Sequence, residues 1–188
     1  LREGGCDILL VSTQELARSC RELEQLQYPF YFNSGQMADL TLNAQSVLEL
    51  VSRALEEDGA LALASEQIST GYLFSRRGTP REPQDYEGRT LGTTLQRSGE
   101  FFQSLGAEVS IQPEEDLREA FLADEIDILE LTLEQVPEYY TTQGTLTFSD
   151  HWQDSMWVLV RREYYDALES GQQSLLRESV AYLLGHVK

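Results

Sequence analysis

The chain has 188 residues and a formal net charge of −18, with 14 basic side chains against 32 acidic ones. At 41% hydrophobic and 10% aromatic it has enough apolar surface for one large domain or two small lobes, which argues against disorder. The charge argues against nucleic acid or an anionic membrane as partner, and no apolar run approaches the roughly eighteen residues that a spanning helix needs, so no direct membrane insertion is expected.

The chain opens at Leu1-Arg2-Glu3-Gly4-Gly5 with neither an initiator Met nor a visible signal peptide, as expected of a fragment or a processed form. Residues 6–12 are nearly continuously apolar, the pattern of a buried parallel strand. Ser12 or Thr13 then caps a helix over residues 14–26, with Glu15 in its first turn. Cys6 starts the strand and Cys20 lies late in the helix. A helix returning antiparallel to its strand brings the two within disulfide reach, about 4.4–6.8 Å between Cα atoms, if the compartment is oxidising. The alternative is two buried thiols packed as small hydrophobes. Residues 27–35 form a loop crowded with aromatics. A long helix from Ala38 or Thr41 to Asp58 follows, on the spacing of Leu40, Val47, Leu48, Val51 and Leu55, and Gly59 ends it. Residues 60–65 read as a strand, 66–70 as a connection and 71–75 as another strand. Residues 76–83 are a Pro/Gly-rich loop whose arginines sit in solvent.

Residues 84–130 form a compact α/β unit. Gly88 supplies a turn, and residues 89–93 are a short extended run. Residues 95–105 have helical spacing, stopped by Gly106, and 107–111 alternate as a strand. Pro113 opens a second helix, with Glu114, Glu115 and Asp116 favourable against its N-terminal dipole. Residues 126–129 are the third strand, and strand–helix–strand–helix–strand predicts a parallel sheet with covering helices. Beyond it, residues 133–140 are helical up to an interruption at Pro137. Residues 145–149 and 155–160 read as two strands with Ser149-Asp150-His151-Trp152 between them. Helices over 161–168 and 172–184 close the chain.

Enzyme motifs are missing. There is no G-x-S-x-G elbow, Walker loop, H-E-x-x-H or C-x-x-C, and Gly4-Gly5 precedes its strand where a dinucleotide fingerprint would follow one. His151 reads as a hydrogen-bonded structural residue, and the acidic cluster at 114–116 answers a helix dipole rather than a metal. No cofactor is expected.

Pro83-Gln84-Asp85-Tyr86-Glu87-Gly88, Leu105-Gly106-Ala107, Pro113-Glu114-Glu115 and Ile126-Asp127-Ile128-Leu129-Glu130 occur in that order. In order and spacing they resemble the solute-binding proteins of tripartite ATP-independent periplasmic (TRAP) transporters, the DctP-like family. Tyr28-Pro29-Phe30-Tyr31-Phe32 and Ser149-x-His151 match further elements of that family. The resemblance runs from Gly5 to about Val180, and family members are usually longer at both ends.

The resemblance implies a periplasmic-binding-protein-like α/β fold, with two lobes of mixed sheet around a cleft. Lobe I would hold residues 1–72 and 157–188, and lobe II residues 73–156. It implies a periplasmic protein that captures a small organic solute, typically an organic acid, and delivers it to membrane permease subunits. By position, the cleft lining is expected from Thr13, Tyr28, Phe32, Glu66, Tyr72, Thr93, Thr132 and Trp152, with ordinary packing as the alternative for each. The family's usual anchoring arginines fall at Gly92 and Leu73, and its usual Asn at Leu131. A buried carboxylate without a cation costs several kcal/mol. The solute is therefore less charged, or another cation replaces the missing ones, or the chain is a divergent relative acting as an accessory protein without a solute.

Overall fold

The computed structural model describes residues 4–136 and 144–186. In chain order the elements are β1 (Ile8–Ser12), α1 (Thr13–Leu16), a 3-10 segment Arg21–Gln27, α2 (Gly35–Leu42), α3 (Gln45–Ala54), β2 (Ala60–Ser75), a 3-10 segment Pro83–Tyr86, β3 (Thr90–Thr93), α4 (Gln96–Ser104), β4 (Glu108–Ile111), α5 (Glu114–Leu122), β5 (Ile128–Leu131), a 3-10 turn Leu133–Gln135, β6 (Thr145–Arg161), α6 (Arg162–Ala167) and α7 (Ser170–His186). The strands hydrogen-bond in the order β1-β6-β2-β5-β3-β4. The sheet is mixed: β3 runs parallel to β4 and β5, whereas β1 is antiparallel to β6 and β2 antiparallel to β5.

The chain divides into two compact units. Unit 1 holds residues 1–24, 34–68 and 154–188, and unit 2 holds residues 25–33 and 69–153. In unit 1, Leu63, Ala64, Val158, Val160, Tyr165 and Val180 form the core cluster, flanked by Leu176 and Leu184 of α7. In unit 2 the strands bury both faces. Leu73, Leu91 and Ile128 point to the α4 side with Phe102 and Ala107. Phe74, Leu129 and Leu131 point to the α5 side with Leu117 and Phe121. The registers Leu73↔Glu130, Phe74↔Leu129 and Leu91↔Ile128 set this alternation, since partners directly opposite share a face.

The α/β unit at 84–130 forms as its pattern predicts, and the elements before and after it depart from expectation. β1 is an antiparallel strand at the edge of the sheet, with Ile8 43% and Leu10 61% exposed, rather than a buried parallel one. Its register is pinned by Arg161, whose Nε donates to Asp7 Oδ1 at 3.0 Å and whose backbone N–H donates to Asp7 O at 2.8 Å. The expected helix over 14–26 is a single α turn followed by a 3-10 segment. The buried residues Cys20, Leu23 and Leu26 recur every third position, which suits three residues per turn. The expected long helix over 38–58 is two helices, broken at Asn43. Its side chain donates to Ser65 O at 2.8 Å and accepts from Ser65 N at 2.9 Å, tying the end of α2 to β2. β2 runs unbroken through residues 66–70, where Gln67 N–H donates to Asp39 Oδ1 at 2.6 Å. β6 is likewise continuous through 149–152, with Asp150 held at φ 47° inside it. Of the helical stretch expected over 133–140, the part at 137–140 lies outside the described residues.

No disulfide forms. Cys6 is exposed and Cys20 is a buried free thiol. Cys20 Sγ lies 3.4 Å from Glu22 Oε2, and burial, helped by that carboxylate, pushes the thiol up to about 11.

Candidate functional site

Unit 2 collects polar groups where β3 and β5 end. The pleat that turns Leu91 toward α4 turns Thr93 the same way, and the register that turns Leu73 there turns Glu130 as well. Glu130 is thus carried into an apolar layer with its side chain only 5% exposed. A buried carboxylate must be surrounded by donors. Thr93 Oγ1 bonds its Oε2 and Ser98 Oγ its Oε1. His151 Nε2 lies 2.7 Å from Oε1, and His151 Nδ1 lies 2.7 Å from Ser149 Oγ. A carboxylate oxygen accepts, so Nε2 carries the proton, and in the neutral ring Nδ1 accepts from the Ser149 hydroxyl. Thr93 Oγ1 in turn accepts from Leu95 N–H at 2.9 Å, fixing the entry to α4. His151 is 1% exposed, edge-on to Phe102 at 5.6 Å between ring centroids and 6.2 Å from Phe30. The ring is turned opposite to that of a hydrolase triad, where Nε2 faces the nucleophile and Nδ1 the carboxylate. The network works as a buried strut joining β3, α4, β5 and β6.

The other face of the sheet is packed with apolar side chains. A Cβ at Gly92 would stand 2.8 Å from Leu117 Cδ2 and 2.9 Å from Ile126 Cδ1, so this position has no room for a side chain. Leu131 on this face is 4% exposed, and Leu73 on the α4 face is 1% exposed, each inside an apolar cluster. At the rim, a small cleft of about 30 Å3 is bordered by Thr94, Glu114, Arg118, Glu130 and Gln135. It lies at the carboxyl ends of β3 and β5, where open α/β sheets take their ligands. Among the described residues bordering it, Arg118 is the cation.

The expected lining residues are distributed over both units. In unit 1, Thr13 is buried, donating to Ser155 O and accepting from Trp157 Nε1, both at 3.0 Å. Glu66 is buried on β2 and borders an open groove with Asp39, Asn43 and Arg177. In unit 2, Tyr28 donates its hydroxyl to Glu100 at 3.2 Å beneath the Arg97 guanidinium, and Phe32 is buried edge-on to Tyr31. Thr93 belongs to the Glu130 network. Thr132 caps the 3-10 turn Leu133–Gln135, its N–H donating to Gln135 Oε1 at 2.7 Å. Tyr72 lies opposite Leu131 and edge-on to Phe148 at 5.3 Å, and burial, with the nearby Asp150 charge, raises its phenol. Trp152 packs over Gly71, where a Cβ would meet its Cε3 at 2.9 Å. Thr93 ends β3 and Thr132 follows β5, each with its own partners, and Trp152 packs over Gly71 beside Tyr72. Ser98 and Arg118 carry no sequence signal beyond helical position. Glu130 does, as the last residue of the Ile126–Glu130 motif.

The profile of the family described as bacterial extracellular solute-binding protein, family 7 (DctP), matches residues 1–183. The chain belongs to this family. DctP-family TRAP proteins bind solutes and are not enzymes. Solved TRAP periplasmic solute-binding proteins share its α/β fold. One from Ochrobactrum anthropi, with its own C-terminus in the ligand pocket, is 20% identical with a TM-score of 0.84, covering 97% of this chain and 57% of that one. One from Marinobacter aquaeolei VT8, in an apo open state, is 20% identical with a TM-score of 0.84, covering 98% and 62%. One from Pseudomonas aeruginosa PAO1, with bound L-malate, is 18% identical with a TM-score of 0.76, covering 98% and 64%. The chain therefore spans roughly three-fifths of the length of these relatives. No curated protein sequence matches it. Among the described residues, no helix is long and apolar enough to cross a membrane.

Proposed function

We propose that this DctP-family chain is the periplasmic solute-binding component of a TRAP-type transporter, capturing a small organic solute and passing it to membrane permease subunits. The observation that carries the reading is the family match over residues 1–183. The L-malate in the Pseudomonas aeruginosa relative and the β-D-galacturonate in one from Xanthobacter autotrophicus Py2 support an organic solute. The apolar packing at Gly92, Leu73 and Leu131 narrows its class. No guanidinium or amide stands at those positions, so a dicarboxylate would lose hydration without a paired cation there. The solute is correspondingly less charged and more apolar. Tyr72, Thr132 and Trp152 keep partly exposed polar or aromatic surface and are the proposed contacts.

Thermal-shift screening over organic acids, neutral solutes and aromatic compounds tests this. A stabilisation that rises with concentration for a weakly charged solute supports it. No response across the panel from folded protein refutes solute capture and favours an accessory role.

A further inference from the structure

Unit 2 contains a cavity of about 190 Å3 on the α4 side of its sheet. Its wall is largely aromatic, from Phe30, Tyr86, Phe101 and Phe102; Ser149 and His151 are its buried-side polar groups, and the exposed, oppositely charged Arg81 and Glu82 border it from the solvent side. The apolar positions Gly92 and Leu131 belong to the opposite, α5-facing side of the sheet, with Leu117 and Leu129. Leu73, the third position that the proposed function turns on, lines the cavity, but the inference draws only on the cavity's rings and polar groups and does not rest on that function.

The rings are fixed by one another. Phe101 meets Phe102 edge-on at 5.2 Å and Phe30 edge-on at 5.9 Å, and Tyr86 lies 5.3 Å from Phe102. Phe30 is held at φ 63°, a left-handed conformation costly for a residue with a Cβ. Its N–H donates to His151 O at 2.5 Å, which fastens the loop to β6 and keeps the 57%-exposed ring at the mouth of the cavity. Strain of this kind persists where surrounding structure enforces it, and it clusters at ligand sites.

We propose that this cavity is a binding site for a neutral single-ring hydroxyaromatic compound, of the size of phenol or cresol. An apolar cavity of roughly 150 Å3 accepts benzene, so this volume admits one substituted ring and not two fused ones. Offset and edge contacts with the surrounding rings hold the ligand ring. Ser149 Oγ, whose own proton goes to His151 Nδ1 in the neutral ring, has lone pairs left to accept from the ligand hydroxyl. The imidazole is already engaged with Glu130, and the Arg81 and Glu82 charges at the cavity's exposed edge are of opposite sign, so the lining offers no net charge to an anion.

The test is 19F NMR of 4-fluorophenol titrated with the protein, followed for the wild type and two variants. The wild type is expected to shift and broaden the fluorine signal saturably. Leu105→Trp places an indole in the cavity wall and is expected to abolish that response while circular dichroism stays native. Phe101→Ala removes one of the rings that hold the ligand and enlarges the cavity, and is expected to weaken 4-fluorophenol binding and to admit 2-naphthol, which the wild type excludes. An unsaturable wild-type response would overturn the proposal. Unchanged binding in folded Leu105→Trp would overturn it too, because the ring would then be sitting elsewhere. If Leu105→Trp does not fold, the 2-naphthol selectivity of Phe101→Ala decides, and equal exclusion of 2-naphthol by both proteins counts against the site.

Discussion

Replacing Glu130 by alanine tests the buried strut that ties the helix and strands of unit 2 together. Glu130 receives Thr93 and Ser98 hydroxyls and the His151 Nε2–H, and both it and His151 are almost wholly buried. Glu130→Ala leaves three buried donors unanswered and opens a void the size of the lost carboxylate. Each stranded donor costs about 1–3 kcal/mol, and the void left by the side chain adds about 1 kcal/mol of lost packing. These overlap, so the expected loss is about 3–5 kcal/mol in total, a large share of a typical domain's stability. Glu130→Gln keeps an acceptor oxygen but turns an NH2 toward a donor, and should lose about half as much. Urea denaturation followed by far-UV circular dichroism measures both. A double-mutant cycle with His151→Ala isolates the pair, and a coupling above about 1 kcal/mol is expected. A loss below about 1 kcal/mol for Glu130→Ala, or additivity in the cycle, would refute the strut.

Gly92→Ala should destabilise by about 1–3 kcal/mol in the same assay, because its Cβ meets Leu117 and Ile126 side chains at under 3 Å. A neutral result would show that this wall yields. Asp154 is buried with its carboxyl raised to about 6 by loss of solvation. Its folded-state pKa lies above the unfolded value, so the folded chain holds a proton that the unfolded chain releases. Stability from this group is full below about pH 4 and is lost as pH rises through about 6, by about 3 kcal/mol at most. Asp154→Asn should remove that slope and be the more stable protein at pH 7, and an unchanged pH profile counts against the shift. In native protein, DTNB should titrate Cys6 quickly and Cys20 only after unfolding, given the burial and raised thiol of Cys20. Two fast thiols, or none, would contradict the free and asymmetric pair.

The α/β unit of residues 84–130 was legible because local signals agree there. Gly88 and Gly106 stand where positive φ is needed, at 67° and 90°, and Pro113 stands at a helix start. Elsewhere long-range partners overrode local pattern. Nothing local shows that Asn43 will leave a helix to bond the backbone of Ser65, since that requires β2 to lie alongside. The apolar run of β1 suggested burial on both faces, but burial depends on neighbours that periodicity does not report. At the site, Glu130 and His151 lay in readable motifs, yet their pairing follows only from β5 and β6 sharing unit 2. The apolar fill around Gly92 was readable as a missing arginine, whereas the side chains that fill the space, Leu117 and Ile126, come from separate elements.

Solute capture by this DctP-family chain, as proposed, proceeds without an arginine at the family's usual anchoring positions. Isothermal titration of the solute that stabilises it best, alone and in competition with L-malate, at low and high salt, measures this directly. Binding should be saturable, change by less than about threefold with salt, as expected where no exposed charge pair carries the affinity, and not be displaced by L-malate. Tight, salt-sensitive binding of L-malate itself, or no heat from any solute, would contradict this reading.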